Sequence, residues 1–477
     1  MDYNIIKLLN IEDKDIHIID FFIDGNTKIF VIEKFLKPEF CPACHSKMHS
    51  KGIYSRSINH PMLQNGFNIK IILRQRKWHC TNPDCGIYFN DQFTFVSSHK
   101  QSSNITDFLI LKELKNINLT VSDVAKRFNV SDTYVHYLLR QYLNIQRLPL
   151  PEILSIDEVH LGIDYNHNYT LVLFDFLTGD IIDLLPNRLE ETTNSYFLSI
   201  PLEERKNVKY LICDMYNPYI NYTKRYFPES IVIIDSFHVV SWLLKLIGQY
   251  IKAVKKKYQE RDKTNYINFL KEHNRINDEE TLRKLPVSKE VYLINNFKWL
   301  ILRNNCTIDY QERPRYNHKL KMYLNTYDYE KMLFDLDNNF KYIRDLKEKY
   351  INFNCTLEED KNKIEADLNK IIEEYSKSKL ILFRDFSKLL QKNKEGIINS
   401  FTYVTDKNGE KRRLSNGPIE GYNRIPKDYK RNARGFENFE SVRIRLIWSN
   451  RKNESILAIP KSKEEVYTVS KKRKKVK

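Results

Sequence analysis

Glycine is scarce in this chain. Twelve glycines among 477 residues leave little room for glycine-rich turns and favour long helical stretches. No long uncharged apolar run occurs, so the usual mark of a membrane-spanning helix is missing. The opening residues, MDYNIIKLLNIEDKD, are acidic and lack the pattern of a secretion signal. Negative charge is in short supply: 61 Asp and Glu face 78 Lys and Arg, a formal net charge of +17. That surplus favours a polyanionic partner, nucleic acid ahead of an anionic membrane surface. Apolar residues are not lacking. At 42% they exclude a disordered chain, and the length calls for more than one domain.

Cysteine is sparse but unevenly placed. Of seven, Cys213, Cys306 and Cys355 stand alone and are expected to be core thiols, kept reduced in a cytosolic protein. The other four come in pairs. CPACHS holds Cys41 and Cys44 in a C-x2-C knuckle, and WHCTNPDCG holds Cys80 and Cys85 in a C-x4-C knuckle. Turn formers beside or between the thiols let each loop aim two sulfurs at one point, and four thiolates suit tetrahedral Zn2+. Four protein ligands leave no open position, so the site reads as structural. His45, His49 and His79 are near enough in sequence to replace a thiol. Between the knuckles, NIKIILRQRKWHC predicts a basic strand.

Residues 102–147 read as helical. In NLTVSDVAKRFNVSDTYVHYLLRQYL, Thr120 or Ser122 can cap a first helix through Phe128, and Ser131 a second. Val121, Val124, Ala125 and Phe128 make one apolar stripe; Val135, Leu138 and Leu139 make another. The pattern fits a helix-turn-helix with its second helix offered to a DNA major groove, although an ordinary helical hairpin shows the same stripes. Ser131, Asp132, Thr133, Tyr134 and His136 would form the contact end.

After the proline-containing linker RLPLPEIL the periodicity turns to strands. ILSIDEVHLGI, NYTLVLFDF and DIIDLLP, then VKYLICD and SIVIID with helices between, predict an α/β layered core. A charged, leucine- and isoleucine-rich, nearly glycine-free stretch follows and reads as an all-helical insertion. The division expected is a zinc module at 1–100, the helix-turn-helix region at 101–148, a core first part at 152–240, the insertion at 241–400, a core second part at 401–460 and a basic tail at 461–477.

Two acids sit within or at the ends of predicted core strands, Asp157 in SIDEVH and Asp214 in YLICDMYNP. Acids there are costly unless solvated, paired or metal-bound, and ligand sites gather at the carboxyl ends of strands in open sheets. A lone aspartate more often caps a turn, and Glu158, Asp164, Asp175, Asp183 and Asp235 compete. A third acid, Glu420, lies in SNGPIEGYNRIPKDYKRNARGF amid basic residues. Hard divalent cations such as Mg2+ take carboxylate oxygens, and two of them roughly 3.5–4 Å apart can clamp the oxygens of a phosphodiester. On a helix from Pro418, Glu420, Arg424, Lys427 and Arg431 share a stripe, with Pro426 expected to kink or break it. The basic residues would track phosphates.

Taken together, the paired knuckles, the helix-turn-helix pattern, SIDEVHLG, ICDMYNPYI, IIDSFHVV and the closing segment with its N-G-x-x-E-G-x-N opening resemble the DDE transposases of bacterial insertion sequences of the ISL-three type. The D-x-x-H step from Asp235 to His238, Lys430-Arg431 and Gly435-Phe436 also match. Pro426 departs, where the family more often has an aliphatic residue. The resemblance implies an RNase H-like mixed-sheet core, interrupted by the helical insertion, with Asp157, Asp214 and Glu420 as a catalytic triad holding Mg2+ or Mn2+. It implies cleavage and strand transfer on double-stranded DNA at inverted repeats and target, by a homo-oligomer at least dimeric on DNA. The protein would then work in the bacterial cytoplasm, associated with the nucleoid, with no membrane role. Arg424, Lys427, Lys430, Arg431 and Arg434 would hold DNA; His238 would stand behind the metals or touch DNA, and reads equally well as a helix-capping or core histidine. A catalytically inactive regulator and an RNase H-like nuclease are the rival readings.

Overall fold

Strict alternation in NIKIILRQRKWHC buries Ile69, Ile71 and Leu73 on one face of a strand, as the two-residue period of a half-buried sheet requires. The computed structural model describes residues 2–61, 67–163, 168–273, 287–406, 409–433, 438–462 and 464–466. After a short helix α1 (Asp2–Leu8), strands β1 (Ile16–Asp24), β2 (Thr27–Lys34), β3 (Met48–His60), β4 (Asn68–Cys80) and β5 (Tyr88–Asn90) form one sheet. Its order is β1-β2-β4-β3, with β5 on β4; β2 and β4 run parallel, the other pairs antiparallel. Ile32, Ile58, Ile71 and Leu73 centre its own core. The β3–β4 ladder skips register between Ser50 and Ile53, where Gly52 takes a φ of 124° that a side chain would resist.

Three helices follow: α2 (Asn104–Glu113), α3 (Val121–Arg127) and α4 (Asp132–Tyr142). Thr120 caps α3 in a reciprocal capping box with Asp123, Phe128 closes it, and Ser131 caps α4. The turn between them passes through Asn129 at φ 51°, a left-handed position that asparagine tolerates.

The second sheet contains β6 (Ile153–His160), β7 (Tyr169–Asp175), β8 (Ile181–Leu185), β9 (Tyr210–Cys213) and β10 (Ile231–Ile234), in the order β10-β9-β6-β7-β8. The first three make an antiparallel meander; β9 and β10 run parallel to β6. Both faces are covered. One packs Leu154, Ile156, Leu171 and Leu211 on Phe197 of α5 (Glu190–Leu198) and on the aromatic run Tyr219, Tyr222, Tyr226 and Phe227. Around that run lie the short helices α6 (Leu202–Lys206), α7 (Asn217–Ile220) and α8 (Tyr222–Arg225). The other face packs Val159, Val172 and Phe174 on α2–α4 and on the Phe439–Asn450 helix near the end of the chain. That helix is tied in by a fully buried Arg445, which donates to the carbonyls of Leu114, Asn116 and Leu119, and by Trp448, whose ring N–H donates to Leu111.

From β10 the chain enters α9 (Ser236–Glu272), a single helix of 37 residues. It starts directly at the strand end. Further helices lead to Lys394–Asn399, whose Gly396 lies flat against Ile234. This region is not purely helical: Arg315–Asn317 pairs with Met322–Leu324 as a hairpin, with Tyr316 and Tyr323 in ring contact at 5.1 Å. Cys213 is buried as expected. Cys306 and Cys355 correct the expectation of core thiols, since both lie exposed, the first within the short turn Asn305–Thr307 and the second at the end of the Phe340–Asn354 helix.

Candidate active site

The pairing of β6 with β9 ends at Ser155–Ile212. Beyond it the strands part, and their carboxyl ends carry acids: Asp157 in β6, Asp214 after β9, Asp235 after β10. A parallel sheet opens at this end because each crossover departs there. Glu420 reaches the opening from the short helix Gly417–Tyr422. Two buried contacts seat that helix. Asp235 Oδ1 accepts the Asn416 N–H at 3.0 Å, and the Asn416 side chain donates to the Ile156 carbonyl at 3.3 Å. The Asn416 carbonyl accepts the Glu420 N–H at 2.9 Å. Ile419 and Tyr422 sink into the core beneath, which leaves Glu420 facing the acids.

His238, in the first turn of α9, brings Nε2 to 3.8 Å from Glu420 and 3.9 Å from Asp235 Oδ2. Ligand atoms of Asp235, His238 and Glu420 lie within 4.8 Å of one another. Asp235 Oδ2 and His238 Nε2 are buried without a hydrogen-bond partner. On the other flank, Asn423 donates to Asp157 Oδ2 at 2.7 Å from 266 positions away. Asp214 Oδ1 accepts the Tyr216 N–H at 3.0 Å.

Burial pushes the carboxyls of Asp157, Asp214 and Glu420 above their ordinary range. Like charge adds to it: Asp214 and Glu158 act on Asp157, Glu158 on Asp214, Asp235 and Asp157 on Glu420. His238 opposes the rise in all three. Converging, water-poor carboxylates cost free energy unless a cation joins them. Hard oxygen donors with two orphaned buried atoms at hand fit a Mg2+- or Mn2+-class ion. Glu158 stands outside this group, because Arg188 at 2.7 Å and the Tyr219 hydroxyl take it up.

The basic residues after Glu420 do not continue one helix. The helix ends at Tyr422, and Arg424–Ala433 starts anew. Pro426 explains this. It lacks the N–H that the Tyr422 carbonyl four residues back would need, and its ring crowds that carbonyl. The break therefore falls upstream of the proline, which sits in the first turn of the next helix at no cost. Arg424 and Lys427 are exposed; Lys430 leans on His160 at 3.3 Å; Arg431 pairs with Asp428 at 2.9 Å. Arg434, Asp164 and the Gly435-Phe436 pair lie outside the described residues.

On α4, Thr133 and His136 are exposed, and Ser131 is spent on the cap. Tyr134 corrects the expectation of a contact residue. Its hydroxyl bonds Asp107 and Ser102 at 2.7 and 2.6 Å, so it braces α4 against α2. Sequence reasoning assigned no role to Asn416 or Asn423, and took Asp235 only as a competing acid and the first letter of the D-x-x-H step. The two asparagines, four before and three after Glu420, were visible as the outer letters of N-G-x-x-E-G-x-N.

The four paired cysteines do converge. Cys41 and Cys85 sulfurs stand 3.6 Å apart, Cys44 and Cys80 sulfurs 3.4 Å. A zinc tetrahedron with sulfurs at about 2.3 Å has edges of about 3.8 Å, so little movement would close it. Hydrogen bonds from Ser46 draw Cys44 down to about 6, while burial pushes Cys80 up to about 12. His79 packs tilted against Tyr88 at 4.2 Å, and no histidine joins the group among the described residues.

Comparison with known proteins gives two matches. A family model for transposases, of the DDE type named after ISL3, covers residues 154–446, more than half of the chain. The transposase for insertion sequence element IS1001 of Bordetella parapertussis is 24% identical over 172 residues, 36% of this chain and 35% of that protein. The chain thus spans about a third of that curated relative's length.

Proposed function

The chain belongs to the ISL3 family of DDE transposases, and we propose that it binds the inverted repeats of an insertion sequence, cuts there and joins the freed ends to target DNA. What supports this reading is the position of Asp157 and Asp214 where β6 and β9 part, with the charge of Asp214 acting on Asp157 and that of Asp157 on Glu420. The strand order, an antiparallel meander followed by two strands parallel to its first, supports an RNase H-like core.

In this reading Asp157, Asp214 and Glu420 are the residues that would hold the divalent metal. Mg2+ or Mn2+ bound there would supply charge stabilisation and nucleophile activation for in-line displacement at phosphorus. Asn423 fixes the rotamer of Asp157 by its hydrogen bond. Asp235 holds the turn that delivers Glu420, and His238 supplies positive charge beside three acids when protonated. Water attacks first and frees a 3′-hydroxyl; that hydroxyl then attacks target DNA. Arg424, Lys427, Lys430 and Arg431 hold the backbone phosphates, Arg434 is assigned the same role from sequence, and the surplus of +17 draws the duplex in. Helices α3 and α4 act as a helix-turn-helix, with Thr133 and His136 at the groove. The Cys41, Cys44, Cys80 and Cys85 set holds a structural Zn2+. Working at two element ends calls for at least a dimer.

Labelled element ends, protein and Mg2+ in one tube test the reading. Joined product supports it; cutting alone indicates a nuclease, and binding alone a regulator. Asp157→Asn, Asp214→Asn and Glu420→Gln are each expected to abolish cutting while end binding survives. A Glu420→Gln variant that cuts at the normal rate refutes the triad.

A further inference from the structure

Beside the acids lies a cavity of about 600 Å³ that the reaction just described does not use. It opens between β7, the loop after β8 and helices α7 and α8. Tyr169 and Tyr216 line it and are 43% and 38% exposed, so part of each ring is open to a ligand. Between them stands Arg188, whose guanidinium lies 5.1 Å from one ring centre and 4.8 Å from the other. Arg188 is anchored in turn to Glu158, the neighbour of Asp157. Tyr216 is tied by its own N–H to Asp214. The cavity is therefore fastened to two of the proposed metal-holding acids through their immediate neighbours.

We propose that this cavity receives one nucleobase swung out of the duplex next to the cut phosphodiester. The proposal rests on the transposase reading. Three observations favour a base over a phosphate. Both arginines in the wall already have carboxylate partners, Arg188 with Glu158 and Arg225 with Glu190 at 2.6 Å. The net field is thus near neutral, which suits a neutral ring better than a dianion. Two half-exposed tyrosines and a planar guanidinium offer stacking surfaces to any base. The side-chain amides of Asn187 and Asn221 supply donors and acceptors for a base edge. Holding a base here would draw its phosphate toward Asp157 and Asp214 and hold the strand still for attack. An unpaired base at the end of a duplex is also the cheapest one to extrude.

The test uses the full chain and element-end duplexes carrying 5-iodo-2′-deoxyuridine at each terminal position in turn. Long-wavelength irradiation is expected to crosslink one position to a peptide containing Tyr169 or Tyr216. Tyr216→Ala should lose that crosslink and slow cleavage roughly tenfold or more, with end binding unchanged in gel shifts. Tyr216→Phe, which keeps the ring, should cut as the parent does. An abasic nucleotide at the crosslinked position should slow the parent protein by a similar factor and leave Tyr216→Ala no slower. The proposal is overturned if both Tyr169→Ala and Tyr216→Ala cut normally, or if every crosslink falls outside the cavity. It is also overturned if deoxyadenosine monophosphate binds the cavity while no DNA position crosslinks, which would assign the site to a free nucleotide. Failure to bind or cut element ends at all would instead remove the transposase reading, and this proposal with it.

Discussion

Asp235 is 1% exposed and Asn416 0% exposed, so their hydrogen bond is sealed from water. Asp235→Ala would leave the Asn416 N–H buried without an acceptor. Such a loss costs about 1–3 kcal/mol. Because the Asn416 carbonyl holds the Glu420 N–H, the cost falls on the turn that delivers the glutamate. If the whole cost appears as loss of the competent arrangement, cleavage falls about 5- to 150-fold at saturating Mn2+. Asp235→Asn behaves differently. Its amide oxygen can still accept the Asn416 N–H, and its NH2 replaces a charge that pushes Glu420 upward. That variant should melt no lower than the parent without metal and should keep most of its cleavage rate at saturating metal. Single-turnover cleavage against Mn2+ concentration, beside thermal melts, separates the two. If Asp235→Asn cuts as poorly as Asp157→Asn, Asp235 acts by its charge on the metals and the positioning argument is wrong.

Purified protein should carry one zinc per chain, and Cys41→Ser combined with Cys80→Ser should lose it. Hydrogen exchange should then rise around the knuckles and in β5 but not at Ile32, Ile58 or Leu73, because the first sheet has its own core; a zinc-free parent protein that melts normally refutes this. In the catalytic core the folded state holds protons on Asp157, Asp214 and Glu420 at a pH where the unfolded chain has released them. Their contribution is therefore greatest below the ordinary carboxylate range and is lost as pH rises through the raised values. Without metal, the melting temperature should fall over that window; Mg2+ or Asp157→Asn should flatten the slope, and an equal slope in the variant contradicts the assignment. Gly396→Ala puts a methyl 2.6 Å from Ile234 Cγ1. It should destabilise by about 1–3 kcal/mol in urea titration, opposite in sign to the usual gain from alanine within a helix.

Local chemistry was the legible part of the sequence. Thr120 and Ser131 cap where their side chains can meet the next turn, and the alternation of Ile69, Ile71 and Leu73 identifies a strand. The short cysteine spacings predict converging sulfurs, because two residues between thiols leave the chain few ways to separate them. Relations across the chain were not legible. Asp235 reads as an ordinary turn aspartate until the Asn416 N–H arrives from 181 positions away. Tyr134 looks outward on a helical wheel, yet Asp107 of α2 draws its hydroxyl inward, and no local pattern contains that pull. Nor could spacing foretell the parallel pairing of β2 with β4, which depends on how β3 is routed. Pro426 was legible as a breaker, but the break appears where the missing hydrogen bond would have ended.

Arg445 has a consequence for the order of events during synthesis. Its guanidinium satisfies three carbonyls in the segment joining α2 to α3, and Trp448 satisfies another within α2. Neither side chain exists until more than 320 further residues have followed α2 out of the ribosome. A nascent chain displays the zinc knuckles early, but the α2–α4 unit must wait with an open apolar face and unsatisfied carbonyls. Whatever those helices grip, they grip firmly only once Arg445 and Trp448 have been made and docked.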